Sequence, residues 1–94
     1  MPALLLALIL ACGGTTMSTD GWDKTCEAPV ECLAVTVGEV CGCSCEPGVI
    51  NASQEEEWNA ERNEILESCA EVYECAPCPD VEVTCEDGLC EVVD

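Results

Sequence analysis

Eleven of the 94 residues are cysteine, and no other feature limits so narrowly what this chain can become. Cysteine at that density in a short sequence marks a disulfide scaffold made in an oxidising compartment. Cys12 stands apart near the N-terminus. The other ten, Cys26, Cys32, Cys41, Cys43, Cys45, Cys69, Cys75, Cys78, Cys85 and Cys90, form an even set that suits five bridges. At roughly 2 to 4 kcal/mol for each bridge, discounted for non-additivity, they would outweigh what so small a core leaves over. That core is thin: a domain of this length buries only about 60% of its unfolded surface, and the sequence has two Trp, one Tyr and no Phe. Reduction is therefore expected to unfold the domain.

The first eleven residues are Met1-Pro2 and an unbroken apolar run from Ala3 to Ala11. The run has the length of a signal-peptide core and is far too short to span a bilayer. Residues 1–11 are read as a signal peptide. At its end, Ile9-Leu10-Ala11-Cys12 resembles a bacterial lipobox. The resemblance implies that Cys12 becomes the acylated first residue, which holds the protein to a membrane through lipid, and it also accounts for the odd cysteine. Gly13 in the following position implies an outer-membrane location in the bacterial cell envelope. The alternative is ordinary signal cleavage, giving a secreted protein with Cys12 as a spare thiol or an eleventh bridge partner. Residues 12–23, rich in Gly, Thr and Ser, are read as the lipidated N-terminus and a flexible tether. Residues 24–94 form the disulfide-rich domain.

Within that domain Leu33, Val35 and Val37 alternate with small or polar residues, predicting a strand that ends at Gly38-Glu39. Cys41, Cys43 and Cys45 follow at a two-residue period, which would place them on one face of an extended segment. Residues so spaced are poor partners for one another, so their partners are expected elsewhere. Pro47-Gly48 reads as a break, and Asn51-Ala52-Ser53 as the start of a helix. Ser53 and Glu56 have the form of a capping box, and Glu55-Glu56-Glu57 suits the positive end of the helix dipole. Trp58, Ile65, Leu66, Cys69 and Val72 supply a narrow apolar stripe, and Cys69 is the natural staple to the rest of the fold. Asn51-Ala52-Ser53 also fits a glycosylation acceptor, set aside because the leader is of bacterial type.

Toward the C-terminus Val81, Val83 and Cys85 alternate, Asp87-Gly88 follows, and Leu89 to Val93 closes the chain. Asp-Gly between alternating segments is a strong hairpin signal. It would set Cys85 opposite Cys90, near enough to bridge or to share one sulfur cluster. The expected fold class is α+β: a small disulfide-rich domain with a short antiparallel sheet, a C-terminal hairpin and one helix.

Charge and composition exclude several functions. The net charge is −18, with Lys24 and Arg62 as the two cations and no His. Such a chain repels a nucleic-acid backbone or an anionic membrane surface; the acidity reads first as solubility and solvation, with attraction of a basic protein partner as the alternative. Without His there is no Ser-His-Asp or Cys-His set, and neither a phosphate-cradling glycine loop nor an Asp-x-Asp-x-Asp-Gly calcium loop is present. Cys41-Gly42-Cys43-Ser44-Cys45 resembles thiolate metal-binding runs such as those of metallothioneins. The paired Cys/His spacing of a zinc site is missing, however, and an oxidising compartment favours bridges. Cys75-Ala76-Pro77-Cys78 matches the C-x-x-C form of thioredoxin-like redox motifs, without their βαβ setting. No cofactor, metal site or catalytic residue is expected, and the chain is not read as an enzyme.

The mature part is also similar to small cysteine-rich lipoproteins of unknown function from myxobacteria and related predatory bacteria. The similarity lies in Cys41 to Cys45, in Val49-Ile50-Asn51 leading to a charged helix, in Cys75-Ala76-Pro77-Cys78-Pro79, and in the Cys85–Cys90 hairpin. It implies a location and a fold pattern, not an activity. The expectation is a lipid-anchored extracytoplasmic interaction or structural module. An inhibitor of a secreted hydrolase, acting through the proline-containing segments 46–50 and 76–80, is the alternative from another class, and a thiolate metal-binding protein is a third.

Overall fold

The computed structural model describes residues 14–71 and 74–93. In chain order the elements are β1 (Thr16–Met17), β2 (Cys32–Glu39), β3 (Glu46–Asn51), α1 (Glu55–Ser68), β4 (Val83–Glu86) and β5 (Leu89–Val92). Single 3-10 turns precede β2 at Pro29–Glu31 and α1 at Ala52–Gln54. Strands β1, β2 and β3 form one antiparallel sheet with β2 in the centre, and β4 and β5 form a separate hairpin. The architecture is the expected small, disulfide-rich α+β fold with one helix.

The strand β3 explains how the layers are arranged. Its neighbours Val49 and Ile50 are both buried, at 6% and 0% exposure. Because successive strand residues face opposite sides, burial of both requires cover on both faces of the sheet. On one face Ile50 packs with Met17, Val40 and Trp58, flanked by Leu33, Val35, Val37, Ile65 and Leu66. On the other, Val49 packs with Cys32 and Cys90, flanked by Cys26, Val83, Cys85 and Val92. Helix α1 thus covers one face and the hairpin covers the other. Complete burial of Ile50 alone is worth about 1.5–3 kcal/mol.

Pro47-Gly48 does not break the chain, as its sequence suggests, but lies within β3, opposite Thr36 and Val35. Strand β3 is an edge strand of its sheet, where the missing proline N–H is tolerated. Gly48 is required by close approach. A Cβ there would stand 2.7 Å from Val37 Cγ1 and 3.0 Å from Thr19 Cγ2.

Residues 14–23 also depart from expectation, because from Gly14 onward the segment is part of the fold rather than a tether. Thr16 and Met17 pair with Glu39 and Gly38, and Met17 is only 4% exposed. Trp22 meets Trp58 edge to face with ring centroids 5.0 Å apart, an arrangement aromatic quadrupoles favour. The Lys24 ammonium donates to the Thr19 carbonyl at 2.6 Å and fastens the connecting turn. In a chain without Phe, Met17 and Trp22 supply the apolar bulk that the helix-side core lacks.

The helix starts differently from its sequence signal. Asn51, not Ser53, provides the cap: its Oδ1 accepts the Ser53 N–H at 2.8 Å, while its Nδ2 donates to the Thr25 carbonyl at 2.7 Å. The 3-10 turn moves the first α-helical residue to Glu55, so the Ser53–Glu56 box does not form. Glu55, Glu56 and Glu57 do occupy the first turn of α1. Val72 of the apolar stripe lies outside the described residues.

The hairpin forms as its sequence predicts. Asp87 and Gly88 have φ values of 51° and 80°, the two left-handed positions of a type I′ turn, and Cys85 stands opposite Cys90. Residues 24–26 lie along β5, with Cys90 N–H donating to Lys24 O at 2.7 Å and Cys26 N–H to Gly88 O at 3.0 Å.

Candidate functional site

All ten cysteines of the domain are bridged, as Cys26–Cys85, Cys32–Cys90, Cys41–Cys69, Cys43–Cys75 and Cys45–Cys78. Their Cα separations run from 5.4 to 6.0 Å, within the ordinary range for disulfides. Cys12, the lipidation candidate, lies outside the described residues.

The bridges fall into two pairs and a fifth, Cys41–Cys69, that starts beside the second pair and ends at the C-cap of α1. The first pair lies beneath the hairpin. Cys85 and Cys90, neighbours across the ladder, do not bridge each other; each reaches into the body of the domain, to Cys26 and to Cys32. The sulfurs of Cys26, Cys32 and Cys90 lie within 4.8 Å of one another. Such a cluster has the spacing of a metal site, but bridged sulfurs offer no thiolate to a metal.

The second pair lies at the other end of β2. Here the C-x-C-x-C run is a turn over Val40–Cys43, not the extended segment its period suggests. Two side chains shape that turn. The Glu39 carboxylate accepts the Thr15 hydroxyl and, at 3.1 Å, the Cys41 N–H. These bonds, the Thr15 hydroxyl foremost, hold its carboxyl below the usual range by favouring the charged form. Ser44 Oγ donates to Val37 O at 2.7 Å and accepts the Glu46 N–H at 3.2 Å, which returns the chain into β3.

From this turn three bridges run to three successive points of the chain beyond α1. Cys41 holds Cys69, the C-cap of the helix. Cys43 holds Cys75, and Cys45 holds Cys78, across a stretch from Glu74 to Glu82 that has no regular secondary structure. Cys43, Cys45, Cys75 and Cys78 are all exposed, whereas the other six cysteines are half-buried or buried. Residues 74–80 are exposed throughout. The Cys78 sulfur lies 3.6 Å from the Ser44 carbonyl oxygen, a contact only, since a bridged sulfur has no proton to donate.

Two shallow depressions adjoin these bridges. One, of about 220 Å³, is lined by Val40, Leu66, the Cys41–Cys69 bridge and Arg62. The other runs along Ala34 and Thr36 to Pro47, Pro79 and Val81. The inhibitory segment expected at 46–50 is absent as a loop, because Glu46–Asn51 is the paired strand β3; the segment 76–80 is free of such pairing. Charge is concentrated on α1, where Glu55, Glu56, Glu57, Glu61, Glu64 and Glu67 are all exposed.

The doubled arrangement of bridges is not legible in the sequence. The spacings of Cys43-x-Cys45 and Cys75-x-x-Cys78 are similar enough to be joined rung by rung, but that is a signal only once the two segments are known to run side by side. No protein-family model, curated protein or solved structure matches the chain.

Proposed function

We propose that this chain is an extracytoplasmic module, anchored through lipid on Cys12, that displays a rigid acidic surface to a basic protein partner. The observation that carries the reading is the way the domain is held: five bridges fasten two small apolar clusters, and the six exposed glutamates of α1 remain free to face outward. Disulfides in that number belong to an oxidising compartment. A net charge of −18 steers basic surfaces toward the domain and keeps nucleic acids away.

The first test is the intact mass of the protein from its native host, before and after alkylation without reductant. The expected result is a chain beginning at Cys12 that carries a lipid increment and has no alkylatable thiol. An unlipidated chain, or one with several free thiols, would reject the anchor or the compartment.

One feature favours a second reading, inhibition of a secreted hydrolase. Ala76-Pro77-Cys78-Pro79-Asp80 is exposed and bridged at Cys78, with Cys75 bridged immediately before it. A segment pinned in this way and carrying two prolines resists cleavage while staying accessible to an active-site cleft. Stoichiometric inhibition in a panel of secreted proteases, abolished by Pro77→Gly with Pro79→Gly, would establish this reading over the first.

A further inference from the structure

We propose that the exposed bridge pair is a thiol–disulfide exchange site: a dithiol reduces Cys43–Cys75, the remaining bridge then passes to Cys75–Cys78, and the 74–81 segment loses its covalent links to the β2–β3 turn. The inference goes beyond the anchored-module reading and concerns what the oxidised domain does when it meets a reductant.

Access selects the site. Exchange proceeds by attack of a thiolate on a disulfide sulfur and depends on reaching it. All four sulfur-bearing residues of this pair are exposed, whereas Cys32 and Cys90 are 9% and 4% exposed and stacked against Cys26. The Cys41–Cys69 bridge is half-buried beside Val40 and Leu66.

The chemistry balances in two stages. One thiolate of the dithiol attacks the Cys43–Cys75 bond, forming a mixed disulfide and expelling one protein thiolate. The second thiol of the reductant then displaces the other protein sulfur. The dithiol leaves as its own disulfide, having given two electrons and two protons to Cys43 and Cys75. In the second stage the Cys75 thiolate attacks Cys78 Sγ. The Cys45–Cys78 bond breaks as Cys75–Cys78 forms, and Cys45 leaves as the thiolate and takes up a proton. This stage is an isomerisation without net electron transfer.

Proximity drives the second stage. Cys75 and Cys78 are joined by two residues, and both are held to one short turn through partners two residues apart. A thiolate freed at Cys75 therefore meets the remaining bridge at high effective concentration. Afterwards Cys43 and Cys45 are thiols on the turn, and the 74–81 segment keeps no covalent link to it. That segment has no strand or helix pairing of its own, so the two bridges are its covalent ties to the turn.

The test treats the oxidised full chain with limiting dithiothreitol at neutral pH, followed by acid quenching, alkylation and peptide mapping. The expected two-electron species carries two alkyl groups, on Cys43 and Cys45, and an intact Cys75–Cys78 disulfide, while Cys26, Cys32, Cys85 and Cys90 are unlabelled. Labels on Cys43 and Cys75 that stay there would overturn the proposal, as would first labelling beneath the hairpin or direct passage to ten alkyl groups. A second measurement uses Cys43→Ala with Cys75→Ala, which leaves Cys45–Cys78 without a neighbouring thiol. The same dithiol should then label Cys45 and Cys78 together, and a labelled Cys45 with Cys78 protected would sink the assignment of Cys75 as the attacking group. None of these outcomes depends on lipid at Cys12 or on a partner.

Discussion

The two doubled bridges use the same bond for opposite purposes. Beneath the hairpin, Cys32–Cys90 joins β2 to β5 and is itself core, and the half-buried Cys26–Cys85 packs against it with Val49, Val83 and Val92. At the far end of β2, Cys43–Cys75 and Cys45–Cys78 join a turn to an irregular stretch and face solvent. In both pairs the second bridge closes only a short additional loop once the first is made, so the chain-entropy contributions are of similar size. What separates them is packing. Cystine buried among valines contributes as a hydrophobic side chain as well as a crosslink, and an exposed one contributes as a crosslink alone.

This contrast can be tested by removing one rung from each pair, where the largest effect is expected beneath the hairpin. Cys32→Ala with Cys90→Ala should cost about 3–5 kcal/mol in equilibrium denaturation, the loop-closure loss adding to a cavity beside Val49. A cost no greater than that of the exposed pair would break the comparison. Next in size, Gly48→Ala should cost about 1–3 kcal/mol, because the new methyl group meets Val37 and Thr19 where residues 14–23 cross the sheet and a packed core yields little. Near-neutral denaturation of that variant would mean that the N-terminal crossing is loosely held.

A smaller effect is expected from Cys43→Ala with Cys75→Ala, about 1–2 kcal/mol, since only the short second loop is lost and no packing goes with it. Near-native far-UV circular dichroism should accompany that loss. The smallest effect is acidic and local. The Thr25 amide and hydroxyl hold the Asp23 carboxyl below its usual range, and the Thr15 hydroxyl and the Cys41 amide do the same for Glu39. For carboxylates lowered on folding, the stabilisation is present above the unfolded-state value and disappears as pH falls through the folded one. The amide shifts of Thr25 and Cys41 should therefore titrate below the ordinary carboxylate range, and Glu39→Gln should flatten the Cys41 curve while leaving that of Thr25 in place. Titration of Cys41 within the ordinary range would show that Glu39 does not hold the turn.

Features whose cause is local could be read from the sequence. Asp87-Gly88 encodes its hairpin because two left-handed residues are needed there and these two adopt them easily. The α1 stripe encodes a helix because Trp58, Ile65 and Leu66 recur at its period. Strand β3 was hidden by Pro47-Gly48, whose local meaning is a turn. That meaning is overridden because the proline lies at a sheet edge and the glycine makes room for Thr19. Thr16-Met17 was hidden in the same way, since two residues in a Gly- and Thr-rich stretch show no period and become a strand only against Gly38-Glu39.

The sequence by itself determined that this chain would be closed by disulfides, would carry one helix and one C-terminal hairpin, and would present a strongly acidic surface. Each of these follows from residue types or from neighbours within a few positions. Only the tertiary structure decided which cysteine meets which, that the N-terminal segment completes the core, and that one bridge pair is packed into the core while the other is exposed. Those outcomes depend on contacts between residues far apart in the chain, with bridged cysteines as many as 59 positions apart. Such contacts arise from the burial of both faces of one sheet, which no local pattern of apolar and polar residues specifies.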